Sequence, residues 1–136
     1  MLNTTKIVYK IGTIPLATEI CRVFTSSGIK RPVNDPERIS RMFREASLVV
    51  TAYDDNLLVG IARALTDHCY CCYLSDLAIA NGYQKKGIGK ELINIVKKEI
   101  GDKCSLILLS VPTAMDYYPK VGFEKIDNGW IIKRRI

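Results

Sequence analysis

Hydrophobic and polar positions along this chain change period several times, and each change marks an element. Residues 6–12 are rich in β-branched and aromatic side chains and end at Gly12, which predicts a strand. From Pro15 to Gly28 the apolar residues Leu16, Ile20, Val23 and Phe24 return at helical spacing, with the proline suited to a first turn and the glycine to a stop. Residues 29–34 read as a loop. Asp35 followed by Pro36 pairs a helix-capping side chain with the residue best tolerated at the first helical position, so a second helix is predicted over 35–46. Residues 48–53 and 57–65 are strand-like runs joined across two aspartates and an asparagine, the signature of a hairpin. Residues 70–80 predict a further strand. Over 87–100 a stripe of Ile88, Leu92, Val96 and Ile100 faces away from Lys90, Glu91, Asn94, Lys97 and Lys98, as in an amphipathic helix. Residues 105–111 are almost wholly apolar and predict a central strand covered on both faces. Residues 113–123 read as a short helix interrupted by Pro119, and 129–136 as a closing strand. Strand, two helices, three strands, helix, strand, short helix, strand is the order of an α/β domain with a mixed sheet.

Length and composition narrow the class. The 136 residues amount to one domain, 1–136, large enough to bury a core without disulfides or metals. The first twelve residues hold no long apolar core and no small-residue cleavage site, so no secretory leader is expected. No apolar run approaches the roughly 20 residues of a membrane helix. Five cysteines without a secretion signal suggest free thiols in a reducing, cytoplasmic setting. The net charge of +6 suits an anionic ligand, either a nucleic acid or a small polyanion. A basic face interleaved with exposed aromatics is not evident, which disfavours nucleic acid.

The charge gathers most tellingly where the strand at 70–80 runs into the helix at 87–100. Lys85, Lys86 and Lys90 surround Gly87 and Gly89 at the start of that helix. A helix N-terminus carries unpaired N–H groups and about half a positive charge, and glycines let a phosphate approach the backbone. Two familiar phosphate loops are excluded by particular residues. A P-loop needs a glycine where Gln84 stands and a hydroxyl where Glu91 stands, and a dinucleotide fingerprint needs a third glycine in place of Leu92.

Residues 77–93 instead resemble the acyl-CoA binding motif of the GNAT superfamily of N-acetyltransferases. Gln84, Gly87 and Gly89 match its Gln/Arg-x-x-Gly-x-Gly/Ala pattern, after a strand reading Leu77, Ala78, Ile79. A second family element is matched by Ala114, Tyr117, Tyr118, Gly122 and Phe123, and the element order agrees over nearly the whole chain. The resemblance implies a mixed, mostly antiparallel sheet, splayed at an acyl-CoA cleft and flanked by helices. It implies acetyl-CoA as co-substrate, no metal, and direct attack on the thioester by a primary amine of a small molecule or a protein lysine. Leu77, Ala78 and Ile79 would pair with pantetheine beside a β-bulge, and Gln84, Lys85, Lys86, Gly87, Ile88, Gly89 and Lys90 would hold the pyrophosphate. A homodimer is common in such proteins. An acyl-CoA-binding sensor without turnover is the alternative function.

The resemblance makes Tyr118 the general acid that protonates the departing thiolate and Tyr117 part of an apolar wall. The base is less marked. Strict alternation puts Tyr73 and Ser75 on one face and Leu74 and Asp76 on the other. Tyr73 and Asp76 are the candidates for a base, unless the amine sheds its proton through water. Arg31, in the loop between the first helices, and Ser75 are candidate acceptor contacts. His68, Cys69, Cys71 and Cys72 have no zinc-knuckle spacing, and direct transfer requires no enzyme nucleophile.

Overall fold

A computed structural model describes residues 6–136; residues 1–5, part of the stretch read above for a leader, lie outside the described residues. Five strands form one open sheet in the order β1 (Ile7–Ile11), β2 (Leu48–Asp54), β3 (Leu57–Thr66), β4 (Cys71–Ile79), β5 (Ser105–Leu108). Neighbours are antiparallel except for the parallel pair β4–β5. Among the described residues no helix is long and apolar enough to cross a membrane.

Helices α1 (Ala17–Ser27) and α2 (Pro36–Arg44) cover one face. Ile20, Val23, Phe24, Ile39 and Phe43 are withdrawn from solvent and pack on Val49, Leu58 and Ile61. α2 begins where Asp35 accepts a hydrogen bond from the Arg38 amide at 3.2 Å, with Pro36 in the first turn. That satisfies one of the donors a helix start leaves open. Helix α3 (Ile88–Ile100) covers the other face, and the whole predicted stripe of Ile88, Leu92, Val96 and Ile100 is buried against Val50, Ala62 and Leu74. At about 1.5–3 kcal/mol for each large apolar side chain, this stripe fixes α3, and with it the loop at its N-terminus.

Three expectations are corrected. The apolar run 105–111 is an edge and not a central strand: β5 has a partner on one side only, and Ile107 and Leu109 are exposed. Residues 113–123 form two 3₁₀ turns, Pro112–Ala114 and Tyr118–Val121, because Pro112 and Pro119 cannot donate to a helical ladder. Residues 129–136 form no strand, since strand-forming side chains make no strand until another edge supplies hydrogen bonds.

The feature that positions the site is a β-bulge. Arg63 pairs with Asp76 and Ala64 with Leu74, so Ser75 is an extra residue in β4. The bulge reverses the side-chain alternation. Cys72 and Leu74 before it, and Leu77 and Ile79 after it, all face α3, while Ala78 joins the α1–α2 face. Leu74 and Asp76 therefore lie on opposite faces, contrary to the simple alternation.

Candidate functional site

β4 and β5 pair only from Cys71–Ser105 to Leu74–Leu108, and β4 then continues alone through Ser75–Ile79. The strands part at the bulge. The two ends of the lone stretch are tied off by side chains. Arg31 Nη2 donates to the Ser75 carbonyl at 2.7 Å, and Gln84 Nε2 donates to the Ile79 carbonyl at 3.0 Å. Between them β4 has no strand partner on its β5 side, and this edge could pair with an extended, amide-bearing ligand.

An ion network holds the bulge. Asp76 is fully buried. Its Oδ1 accepts from Arg31 Nε at 2.5 Å and its Oδ2 from Arg63 Nε, while Arg63 Nη2 reaches the Ser75 hydroxyl at 2.9 Å. Both oxygens of Asp76 are thus engaged by guanidinium groups, which favours a positioning role over that of a base. Arg31 is likewise committed inward, also donating to the Lys30 carbonyl at 2.6 Å, and is not free to meet an acceptor. Arg63 was not singled out from the sequence. The signal was present, as the one cation inside the apolar run of β3. Tyr73 is exposed, opposite Leu65 of β3 and Ile107 of β5, on the Asp76 face and clear of the helices.

Beyond β4 the loop turns into α3. Gly87 is the N-cap at φ +84°, in the left-handed region that favours glycine, and no side chain caps the turn. No side-chain cap hydrogen bond takes up the first-turn amides of α3, and Lys85, Lys86 and Lys90 are exposed beside them. Lys86 Nζ lies 5.7 Å from the centre of the Tyr83 ring, and the Tyr83 hydroxyl donates to Asp54 Oδ2 at 2.5 Å, bracing the loop against the hairpin. Ile88 is buried in the core, so only its main chain is available to a ligand.

Gly89 has a role that the sequence does not show. A Cβ there would come within 2.9 Å of the Tyr117 hydroxyl. Tyr117 is thus more than an apolar wall, because its hydroxyl sits at the first turn of α3. Tyr118 packs edge-on between Tyr117 and Phe123, with ring centres 5.2 and 5.5 Å away. Burial raises its pKa above the ordinary tyrosine value, with Tyr117 adding to the shift, so at neutral pH it is a protonated donor.

The cysteines have a structural explanation. Asp67 accepts hydrogen bonds from the amides of Cys69, Tyr70 and Cys71 and so closes the turn before β4. The same carboxylate pushes the Cys71 thiol upward, and burial does so for Cys72, which disfavours a reactive thiolate. Among the described residues no group of three His, Cys, Asp or Glu side chains is disposed to hold a metal ion.

The family model described as the acetyltransferase (GNAT) domain matches residues 20–131. A Glycine max protein named as a histone acetyltransferase is 31% identical over 77 residues, which are 53% of this chain and 32% of that protein. The chain thus spans about a third of that relative. An acetyltransferase of the GNAT family from Streptococcus pneumoniae superposes with a TM-score of 0.76 at 20% identity, over 96% of this chain and 100% of that one. An aminoglycoside N-acetyltransferase solved with CoA gives a TM-score of 0.75 at 13% identity, over 100% and 99% of the two chains. At these identities the likeness to the solved structures is one of fold.

Proposed function

Because the chain belongs to the GNAT family of acetyltransferases, we propose that it transfers an acetyl group from acetyl-CoA to a primary amine. The observation that carries the reading is the coincidence of three features in one segment. β4 loses its β5 partner after Leu74, the bulge at Ser75 is clamped in place, and the lone strand runs on into an uncapped, lysine-rich helix start. In this reading pantetheine lies along Leu77–Ile79 as an added strand, and the pyrophosphate meets Gln84–Lys90. The amine nitrogen attacks the thioester carbonyl, the carbon–sulfur bond breaks, and Tyr118 gives its proton to the departing thiolate. A main-chain N–H beside the bulge polarises the carbonyl as charge develops on its oxygen.

The amine sheds its proton to water entering the open end of the cleft, past Tyr73. Asp76 positions the bulge and takes no proton. The acceptor class is a small-molecule amine or a protein lysine, as the names of the aminoglycoside and histone acetyltransferases suggest. The test is CoA release from acetyl-CoA across a panel of amines, polyamines, aminoglycosides and lysine peptides. Turnover with one of them, lowered about 10²-fold in Tyr118→Phe with acetyl-CoA binding intact, supports the assignment. Acetyl-CoA binding without turnover on any acceptor would favour a sensor instead.

A further inference from the structure

One corner of the sheet is bare on the face that α1 and α2 otherwise cover. Arg63 is the last residue of β3 buried there, with its guanidinium carbon 5.7 Å from the centre of the Phe43 ring. Beyond it Leu65 of β3, Tyr73 of β4 and Ile107 of β5 stand opposite one another in a row, all three exposed. The row lies two residues ahead of Ser75, beside the place where β4 and β5 part.

The flank of α2 runs along this row. A groove of about 280 Å³ is lined by Arg38, Arg41, Met42 and Glu45 on the helix side and by Arg63 and Leu65 of β3. Arg63 joins the groove to the bulge, since its Nη1 reaches the Met42 carbonyl at 3.4 Å and its Nη2 the Ser75 hydroxyl at 2.9 Å. The charge here decides what can enter. Arg31, Arg38, Arg41 and Arg63 bring four guanidinium groups, and Glu45 and Asp76 bring two carboxylates, a net charge of +2. Arg31 and Arg63 are bound to Asp76, and among the described residues these are the only ion pairs. Arg38 and Arg41, both exposed, therefore face the groove without a carboxylate. Arg38 has only a contact with the Ile136 carbonyl at 3.4 Å, long for a hydrogen bond.

We propose that the acceptor is a small primary amine that carries its own carboxylate on an apolar body. This rests on the acetyl-transfer reading of the neighbouring bulge and names the substrate class for it. The carboxylate meets Arg38 and Arg41, whose planar forks suit it. The body lies on Leu65, Tyr73 and Ile107, and the amine is left facing the bulge. Transfer forms the nitrogen–carbon bond and breaks the carbon–sulfur bond. Of the two protons the ammonium gives up, one ends on the CoA thiol and one in water. Polyamines and aminoglycosides are disfavoured, because their several positive charges meet two unpaired guanidinium groups.

Two readouts on the full chain keep this inference apart from the transfer reading. Calorimetry on the CoA complex measures acceptor binding without chemistry, and CoA release from acetyl-CoA measures turnover. The probes are pairs differing by the carboxylate: phenylalanine and phenethylamine, leucine and isopentylamine, γ-aminobutyrate and propylamine, with spermidine as the polycation. In at least one pair the carboxylate member should bind about tenfold more tightly and turn over with a correspondingly lower KM. Arg38→Gln combined with Arg41→Gln should abolish that difference and leave acetyl-CoA affinity unchanged. Arg44→Gln, outside this groove, should preserve it. Carboxylate-dependent binding without CoA release would support the groove and refute transfer to its ligand. Turnover that favours the bare amines or spermidine would overturn the inference and leave acetyl transfer standing. A carboxylate preference that survives loss of both arginines, or no binding by any carboxylate probe, would overturn it as well.

Discussion

Asp76 shows how much one side chain can hold in place. It is fully buried between Arg31 and Arg63, and its neighbour Ser75 is the residue that breaks the ladder. Asp76→Asn keeps the shape and removes the charge, leaving two guanidinium groups facing an amide. Breaking a buried pair from one side costs about 3–5 kcal/mol, and the partial exposure of Arg31 points to the lower end. Urea unfolding should show that loss, and calorimetry should show weakened acetyl-CoA binding in the fraction that still folds. Full stability would mean that the network is ornamental. Gly89 makes a second test. Gly89→Asp places a Cβ against the Tyr117 hydroxyl and a carboxylate where the proposed pyrophosphate would sit, so acetyl-CoA affinity should fall at least tenfold while the fold persists. Unchanged affinity would remove the pyrophosphate from this loop. The place of the glycine loop at the start of α3 was legible in the sequence, because motif spacing survives without coordinates. The face on which Asp76 lies was not. The bulge has no glycine to announce it, and one extra residue reverses every side chain after it.

At the level of elements, the strand that parts from its neighbour matters more than any helix. Apolar periodicity placed α1 and α3, the Asp35–Pro36 start placed α2, and strand-like runs about a turn placed the β2–β3 hairpin. It failed at β5 and at residues 129–136 for one physical reason. An apolar run records that a strand wants covering, not which chain covers it. The gap between β4 and β5 gives a further prediction. Amides of Cys72–Leu74 lie in a two-sided ladder and should exchange slowly with or without ligand. Amides in Ser75–Ile79 that face the gap should exchange quickly in the free protein and gain protection when CoA is added. Peptide-resolved hydrogen exchange reads this directly. Protection appearing only at the start of α3 would place the phosphates there but take pantetheine off the strand.

Across the whole molecule, tyrosines contribute to the response to alkali. Of seven tyrosines, Tyr9, Tyr83, Tyr117 and Tyr118 have pKa values raised above the ordinary value. Burial is the leading cause for all but Tyr83, whose hydrogen bond to Asp54 comes first. In an ultraviolet titration these four should ionise later in the native protein than in the unfolded chain, and they form a late group. The late group also bears on stability. Below pH about 10 a tyrosine is protonated in both the folded and the unfolded chain and adds no pH dependence. Above it the unfolded chain gives up the proton while folded Tyr118 keeps it. The unfolded state then binds fewer protons, and stability falls as pH rises, until the folded pKa is passed. For Tyr118 the slope is at most about 1.4 kcal/mol per pH unit. Tyr118→Phe removes that component. Its stability relative to wild type should be constant from pH 7 to about 10 and should then improve steadily with rising pH. Parallel stability curves for the two proteins above pH 10 would show that Tyr118 ionises as readily when folded as when unfolded, and would place its hydroxyl in water instead of in the packed wall between Tyr117 and Phe123.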